Sequence, residues 1–376
     1  MTEHYDVLTA LNRSMPLSAK LRAIHTQLNV QLKFIDRIAV ATYDPETDLV
    51  KTFIHSSHDS NPLSNYEAKL SESDSLMQVV NTSMPRVTND LSIYLPATHE
   101  HTRRIAAQHY GASYTLPMFT NNVFFGFVFF NSYDKDVFVP AVLPTLDVFG
   151  HLIASLIINE LTLIKTLLST IKTARDMTNE RDPNTGAHLD RMSRFARLIA
   201  KELAPKFNFD DEYIEHVFLF APLHDIGKIG VPDRILLKPG KLDEEEYAEM
   251  KTHAVKGRQI IDMLLLNYGL DGVQRIDVLR NIAKYHHEQF DGSGYPEGLK
   301  GASIPIEARI IAVADVFDAL TSRRPYKEAW SNDEAFTALE QFSGNQLDPD
   351  CVQALVKNRA QVEQIQQRFL ETENGD

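Results

Sequence analysis

The chain has 376 residues, which is enough for two or three domains of about 100–200 residues each. Hydrophobic residues make up 43% and charged residues 24% of the chain, a composition that excludes a largely disordered protein. The formal net charge of -13 disfavours a general affinity for DNA or RNA, because those polymers are bound through Lys and Arg. A small anionic ligand remains compatible with this charge if metal ions supply a local positive field.

Cysteine content and apolar segments indicate the cellular compartment. Cys351 is the only cysteine, so no disulfide can form within the chain, as is usual in a reducing compartment. The first residues lack a basic segment followed by an apolar core, and apolar stretches such as residues 123–130 are too short to cross a bilayer. We therefore expect a cytoplasmic protein that contacts no membrane.

Residues 1–150 show the mixed helix and strand patterns of an α/β domain. Helices are predicted where apolar side chains recur at helical spacing, and strands where β-branched side chains alternate with others. The predicted elements are, in chain order, a helix over 8–32, strands over 36–43 and 49–54, a hairpin of 114–118 and 123–131 with Asn121 and Asn122 at its bend, and a helix over 140–158.

This first segment resembles a GAF domain. The resemblance rests on the order of elements, on the sequence PRVTND at 85–90, and on the predicted hairpin. It implies a sensor domain that binds a small molecule or a protein signal, or that mediates dimerisation, with the signal and the sign of regulation left open. Attachment of a bilin through a thioether within this segment is excluded, because Cys351 lies outside it.

Residues 151–180 form a predicted connecting helix. Apolar side chains recur there at steps of three and four residues, beginning at Ile153 and Leu156, with polar interruptions at Glu160 and Thr170. The helix either packs on its own domain or forms a parallel two-stranded connector in a homodimer, and we favour the connector. The predicted organisation is a sensor domain over 1–150, this helix over 151–180, and a catalytic domain over 181–370.

The second half of the chain has an almost entirely helical pattern, and potential ligands lie on the apolar faces of its predicted helices. These ligands are His188, His224, His253, His286 and Asp315. A buried imidazole or carboxylate is costly unless it is paired or bound to metal, so five such residues on inward faces favour a shared metal cluster. His216 lies outside these faces, and we assign it to the structure or to the surface.

The types of ligand restrict the metal. Imidazoles and carboxylates without a thiolate suit iron, manganese or zinc, and they do not suit a cysteine-type zinc site or an all-oxygen calcium site. Asp225 follows His224 directly, and its two oxygens allow it to bridge two ions. Two ions about 3.5–4 Å apart can hold a hydroxide between them, which suits attack on a phosphodiester.

Two motifs give the family resemblance. Residues 224–228 are HDIGK and residues 286–296 are HHEQFDGSGYP, and they are followed by ADVFDALTSRRPYK at 314–327. The chain from about residue 181 to 356 therefore resembles the HD-GYP family of HD-domain phosphohydrolases. The resemblance implies an all-helical bundle around iron or manganese that hydrolyses cyclic di-GMP, by a metal-bridging hydroxide, to pGpG and in some members to GMP.

The resemblance also implies roles for individual residues. The implied metal ligands are His188, His224, Asp225, His253, His286, His287 and Asp315. The implied contacts to substrate are Lys228, Gly292, Gly294, Tyr295, Arg324 and Lys327, with Asp225 and Lys228 as the catalytic pair and Arg323 as a rival of Arg324. Asn184 stands where some members have a glutamate that helps to bind a third metal, so we expect two ions.

Alternatives remain for the substrate and for catalysis. A phosphodiesterase for another cyclic dinucleotide, such as cyclic GMP-AMP, would have the same metal ligands. A degenerate metal site would favour a non-catalytic receptor for cyclic di-GMP, but all seven ligands and the full GYP loop are present, which favours an enzyme. The sequence does not predict how the long segment between His253 and His286 affects access of the substrate.

Overall fold

A six-stranded antiparallel sheet forms the centre of the first of two units in a computed structural model of the chain, which describes residues 6, 8–13, 15–57, 66–94, 108–178, 186–268, 275–322 and 329–370. The strands are β1 (Arg37–Asp44), β2 (Leu49–Ser57), β3 (Glu67–Lys69), β4 (Arg86–Thr88), β5 (Ala112–Thr120) and β6 (Val123–Ser132). Their order across the sheet is β3-β2-β1-β6-β5-β4, and each neighbouring pair is antiparallel.

The predicted hairpin corresponds to β5 and β6. Asn121 and Asn122 have φ angles of 48° and 65°, which is the left-handed conformation that two-residue hairpin turns require at both central positions. Phe127 and Val128 on β6 are both fully buried although they point to opposite faces of the sheet. The sheet is therefore covered on both faces at its centre.

The helix predicted over residues 8–32 is shorter in the structure. A 3₁₀ turn spans Thr9–Asn12, and helix α1 spans Leu17–Gln31. Pro16 lies between them with extended backbone angles, because a proline lacks the N–H donor needed inside a helix and disfavours helical geometry in the residue before it. A second helix of this unit, α2, spans Asp74–Thr82.

Helix α3 spans Leu143–Thr178 and includes the predicted connecting segment. Ile153, Ile157, Leu161 and Ile164 lie on one face of it and are almost completely buried within the chain. The seam predicted for a two-stranded connector begins at Ile153, which is 1% exposed in the single chain, so this position is already buried before any second chain is added.

Part of α3 is long enough and apolar enough to be a membrane-spanning helix, judged by length and composition alone. Residues Leu143–Thr170 have a mean hydropathy of 1.6 in their most apolar window, so this apolar segment is longer than the sequence predicted. One such helix among the described residues is weak evidence for a membrane span, because a core helix can have the same composition.

The second unit is built from helices, as the sequence predicts. They are α4 (Gly186–Phe207), α5 (Asp211–Phe220), α6 (Asp233–Leu236), α7 (Glu244–Lys251), α8 (His253–Tyr268), α9 (Ile276–Tyr285), α10 (Ile306–Thr321), α11 (Asn332–Phe342), α12 (Pro349–Val356) and α13 (Arg359–Arg368). Within the described ranges, the extended pairing in this unit is limited to an isolated bridge between Ser343 and Leu347.

Helices α4 and α10 form the centre of this helical unit. Phe195 on α4 and Phe317 on α10 pack edge to face, with ring centroids 5.3 Å apart, and both are fully buried. Apolar burial of this kind fixes the two helices side by side. The polar residues that α4 and α10 carry on the same faces are therefore held at defined positions.

Candidate metal centre

The structure brings all seven predicted metal ligands together in two adjoining groups. The four-residue group consists of Asp225, His253, His286 and His287, and the three-residue group consists of His188, His224 and Asp315. Within each group, one ligand atom from every residue lies within 4.8 Å of the others. Residues separated by up to 127 positions in the chain thus converge in the helical unit.

These ligands are not all placed on helices as the sequence predicted. His188 lies in α4 and Asp315 in α10, but His224 follows a 3₁₀ turn over Ala221–Leu223. Helix α5 ends at Phe220 because Pro222 cannot donate a helical hydrogen bond. His253 is the first residue of α8, and His286 directly follows α9. Several ligands are therefore held at helix ends.

Asp225 lies between the two groups. Its Oδ1 atom is 3.4 Å from Nε2 of His253 and 3.6 Å from Nε2 of His286, both in the four-residue group. Its Oδ2 atom is 3.2 Å from Nε2 of His224 in the three-residue group. Each oxygen thus faces a different group, which is the geometry that a bridging carboxylate needs.

Three of the imidazoles are oriented by backbone carbonyls of their own turns. Nδ1 of His224 lies 2.9 Å from the oxygen of Ala221, Nδ1 of His253 lies 2.8 Å from that of Met250, and Nδ1 of His286 lies 2.9 Å from that of Ile282. A carbonyl only accepts, so each Nδ1 carries a hydrogen, and Nε2 is the atom through which each ring would bind metal once it carries none. All three Nε2 atoms are directed into the cluster.

Several polar atoms of the site are buried without a hydrogen bond among the described residues. They are Nε2 of His188, Nε2 of His224 and Oδ1 of Asp225. Leaving such groups unsatisfied costs about 1–3 kcal/mol each, and more when they are charged. A divalent ion would satisfy all of them, and imidazole with carboxylate suits iron, manganese or zinc. The residues present therefore fit a metal centre.

Electrostatic interactions shift the pKa values of the site in opposite directions. Burial favours neutral His224, but Asp225 and Asp315 outweigh it and raise the pKa of His224 to about 9. Burial lowers the pKa of His253 to about 4 and also lowers that of His287. Burial opposes the charged form of Asp225, yet Lys228 and His224 hold the pKa of this carboxyl well below its usual range.

Two of the predicted substrate contacts border the cluster. Nζ of Lys228 is 2.7 Å from Oδ2 of Asp225 and forms an ion pair with it. The ring of Tyr295 packs against the imidazole of His287, with centroids 4.7 Å apart and planes 31° apart. Both side chains are partly exposed, so they lie where a bound molecule would meet the ligands.

The loop after His287 has a structural role that the sequence analysis missed. Glu288 is buried, and its carboxylate accepts hydrogen bonds from the backbone N–H groups of Glu297 and Leu299 at 2.8 and 3.0 Å. A Cβ atom at Gly294 would lie 2.2 Å from the backbone nitrogen of Gln289. This glycine, which the sequence analysis assigned to contact with a ligand, is required by the chain's own backbone. The signal for Glu288 was its place directly after the histidine pair.

The remaining predicted residues are placed as follows. Gly292 has a φ of 89°, which favours glycine and turns the loop. Arg323, Arg324, Lys327 and Asn184 lie outside the described residues, so their roles remain predictions. His216 is fully buried and packs against Phe220, which excludes the surface position considered for it.

A protein-family model described as an HD domain matches residues 172–351. Residues 172–351 of this chain are therefore similar to HD domains. An HD domain implies binding of divalent metal, and both ligand groups lie inside the HD domain of this chain. The prediction of a helical region similar to HD domains, with residue groups that could bind metal, is thus confirmed. The identity and the number of the metal ions stay predictions.

Curated relatives share this HD domain. A cyclic di-GMP phosphodiesterase response regulator of Xanthomonas campestris pv. campestris is 50% identical over 191 residues, which cover 50% of this chain and 47% of the relative. A 3'3'-cGAMP-specific phosphodiesterase of Vibrio cholerae is 38% identical over 178 residues, which cover 47% of this chain and 32% of the relative. The chain thus spans less than half of the length of each.

A solved structure is similar to the other part of the chain. It is the phycocyanobilin-bound GAF domain from a cyanobacterial phytochrome, which is 13% identical and has a TM-score of 0.33. The match covers 40% of this chain and 89% of that domain. A likeness of this size carries no conclusion about a ligand of this chain.

Proposed function

We propose that the HD domain is an enzyme that hydrolyses cyclic di-GMP to pGpG, with GMP as a possible later product of the same site. The observation that carries the proposal is that seven potential ligands converge in two groups, and that Asp225 of the four-residue group also faces the three-residue group. The name of the Xanthomonas relative, at 50% identity over 191 residues, supports cyclic di-GMP as the substrate.

Two ions, iron or manganese, would be held by the two groups. The four-residue group offers three imidazoles and the Asp225 carboxylate, and the three-residue group offers two imidazoles and the Asp315 carboxylate. When bound, a pair of divalent ions supplies a hydroxide at neutral pH and neutralises charge on the phosphate. The position of Asp225 between the groups would set the spacing of the ions.

The side chains of the chain itself would bind and orient the substrate. Lys228 sits beside Asp225 and would donate to a phosphate oxygen, stabilising the charge that develops there. Tyr295, stacked on His287, would contact the guanine or a phosphate. We also assign Arg324 and Lys327 to the phosphates, and Gly292 and Gly294 to the shape of the loop that carries Tyr295.

The first 150 residues would regulate this activity. We propose a sensor domain over 1–150, a connecting helix over 151–180 and a catalytic domain over 181–370, in a cytoplasmic homodimer. The division of the chain between Ile164 and Lys165 falls inside the proposed connecting helix, which supports this scheme. A small molecule or a protein would provide the signal.

A second candidate function is hydrolysis of 3'3'-cGAMP, which the Vibrio cholerae relative supports by its name. We favour cyclic di-GMP because the Xanthomonas relative is more similar, at 50% against 38% identity. A non-catalytic receptor is disfavoured, since such a protein has no need for seven metal ligands.

The test is product analysis with the full chain. The protein would be purified without oxygen, loaded with Mn²⁺ or Fe²⁺, and given cyclic di-GMP or 3'3'-cGAMP at equal concentration. We expect pGpG to form and kcat/KM to be higher for cyclic di-GMP. Faster turnover of 3'3'-cGAMP would reverse the choice of substrate. Binding of cyclic di-GMP by the metal-loaded chain without any product would identify a receptor.

A further inference from the structure

Asp318 is a fully buried carboxylate directly beneath one of the candidate ligands. Its Oδ2 atom accepts a hydrogen bond from Nδ1 of His188 at 2.7 Å. Arg191 donates to both carboxylate oxygens, at 2.7 and 2.9 Å, and Ser322 donates to Oδ2 at 3.0 Å. Asp318 lies inside the segment 314–327, but the family resemblance implies no role for it or for Arg191, and neither is a candidate metal ligand.

The arrangement follows from the periods of two helices. Arg191 lies three residues after His188 on α4, and Asp318 lies three residues after Asp315 on α10. Residues three apart share a helix face, so each helix presents one candidate ligand and, one turn further on, one residue that supports it. The two supporting residues then pair with each other across the helix interface.

His188 therefore differs from the other oriented histidines of the site. His224, His253 and His286 donate to neutral carbonyls of their own turns, whereas His188 donates to a charged side chain 130 residues away. Both kinds of partner fix the imidazole tautomer. A carboxylate partner additionally makes the opposite nitrogen a stronger ligand, and loss of such a partner typically weakens metal affinity by about 10–100-fold.

We propose that Asp318 is a positioning residue for one ion only, the ion of the three-residue group, through its hydrogen bond to His188. Arg191 keeps the buried carboxylate ionised and immobile, because a two-point contact fixes its plane. Within the described residues, Asp318 makes no hydrogen bond to a member of the four-residue group. The ion of that second group should therefore not depend on it.

The test measures how many ions the full chain binds and with what affinity each of them binds, in the absence of substrate. Chelated protein would be titrated with Mn²⁺ while electron paramagnetic resonance measures the free ion. We expect two ions in the unchanged chain. In Asp318→Asn, one ion should bind about 10–100-fold more weakly while the affinity for the other stays the same.

A matched control separates this role from loss of a buried ion pair. Asp348 is also buried, pairs with an arginine (Arg309 Nη1, 2.5 Å), and accepts further hydrogen bonds from backbone. Asp348→Asn should lower the free energy of unfolding to a similar extent and still bind both ions with unchanged affinity. Circular dichroism and thermal unfolding in the presence of chelator would compare the two variants.

Three outcomes would overturn the inference. They are two ions bound with full affinity in Asp318→Asn, equal weakening of both ions, and the same selective loss in Asp348→Asn. If Asp318→Asn does not fold, Ser322→Ala decides, because it removes a single donor from Asp318. That variant should weaken the same ion to a smaller extent, and an unchanged affinity would refute the role of Asp318.

This inference rests on the proposed function only in requiring two ions at the site. A chain that binds two Mn²⁺ ions but hydrolyses no cyclic dinucleotide would remove the proposed function and leave the role of Asp318 open to the same titration. Conversely, an active enzyme whose Asp318→Asn variant keeps both ions would remove only the inference.

Discussion

The ammonium group of Lys228 lies 2.7 Å from the Oδ2 atom of Asp225, and this oxygen is the one that faces His224. The side chain of Lys228 is partly exposed, whereas the imidazoles of His224, His253 and His286 are buried. Metal at Asp225 would take over the role of the lysine as counter-ion. The ammonium would then be available for an anionic substrate at the edge of the centre.

Replacement of this lysine should separate binding of metal from turnover. In Lys228→Met we expect the metal content to be unchanged and kcat for cyclic di-GMP to fall by about 10²–10³-fold, as for loss of one donor that stabilises transition-state charge. Lys256→Met is the control, because Lys256 donates to the backbone oxygen of Gly230 and, in the part of the chain that the structure describes, forms no hydrogen bond with a candidate metal ligand. Metal analysis and steady-state kinetics would be measured for both. Equal kcat in the two variants would argue against a contact of Lys228 with substrate.

Replacement of Asp225 should affect both ions, in contrast to Asp318. Asp225→Ala removes the two oxygens that face the two groups, so we expect loss of both ions and of phosphodiesterase activity. Asp277→Ala is a control at an exposed carboxylate and should leave both properties intact. The measurement is metal stoichiometry by elemental analysis after gel filtration. Retention of one tightly bound ion by Asp225→Ala would show that the carboxylate serves only one group.

The metal-free chain should contain two neighbouring imidazoles that titrate far from the usual value of about 6.5. The pKa of His224 is raised to about 9 and that of His253 is lowered to about 4, so at pH 7 the first is charged and the second neutral. Because the folded-state pKa of His224 is raised, its stabilising contribution is complete below about pH 6.5 and is lost as the pH rises through about 9. The folded-state pKa of His253 is lowered, so its stabilising contribution is complete above about pH 6.5 and is lost as the pH falls through about 4.

These titrations can be followed by NMR of chelated protein with labelled histidine side chains. We expect one resonance to titrate well above pH 8 and another below pH 5. Deprotonation of His224 should also lower the midpoint of thermal unfolding between pH 6.5 and 9. His224→Gln and His253→Gln would assign the two resonances. Midpoints near pH 6.5 for both residues would contradict the opposite shifts.

The sequence predicted the ligands of the site better than the positions from which they are presented. Five of the seven could be recognised because their cost inside an apolar helix face demands a partner, namely His188, His224, His253, His286 and Asp315, whereas His287 was implied by the family resemblance alone. The placement of His224 after a helix end depends on Pro222, whose effect the helical pattern did not predict. Asp318 was missed because its partner His188 is 130 residues away, a contact that helical spacing within one segment does not indicate.

The same contrast holds for the first unit. Asn121 and Asn122 predicted the hairpin because few residues adopt two successive left-handed conformations. Strands β3 and β4 have three residues each, which is too short for an alternating pattern, and they were not predicted. Pairing with β2 and β5, rather than their own sequence, determines where they form.

Gly227 should be essential for the contact between the segment after Asp225 and helix α8. A Cβ atom at this position would lie 1.8 Å from the backbone oxygen of His253 and 2.5 Å from the nitrogen of Gly257. Gly227→Ala must therefore push α8 away, which we expect to lower the free energy of unfolding by about 1–3 kcal/mol and to weaken retention of metal at His253. Gly186→Ala is the control, since a Cβ there meets no atom of the described residues within 4 Å. Urea unfolding of the chelated variants gives the free energies, and a difference between them below about 0.5 kcal/mol would mean that the backbone yields without cost.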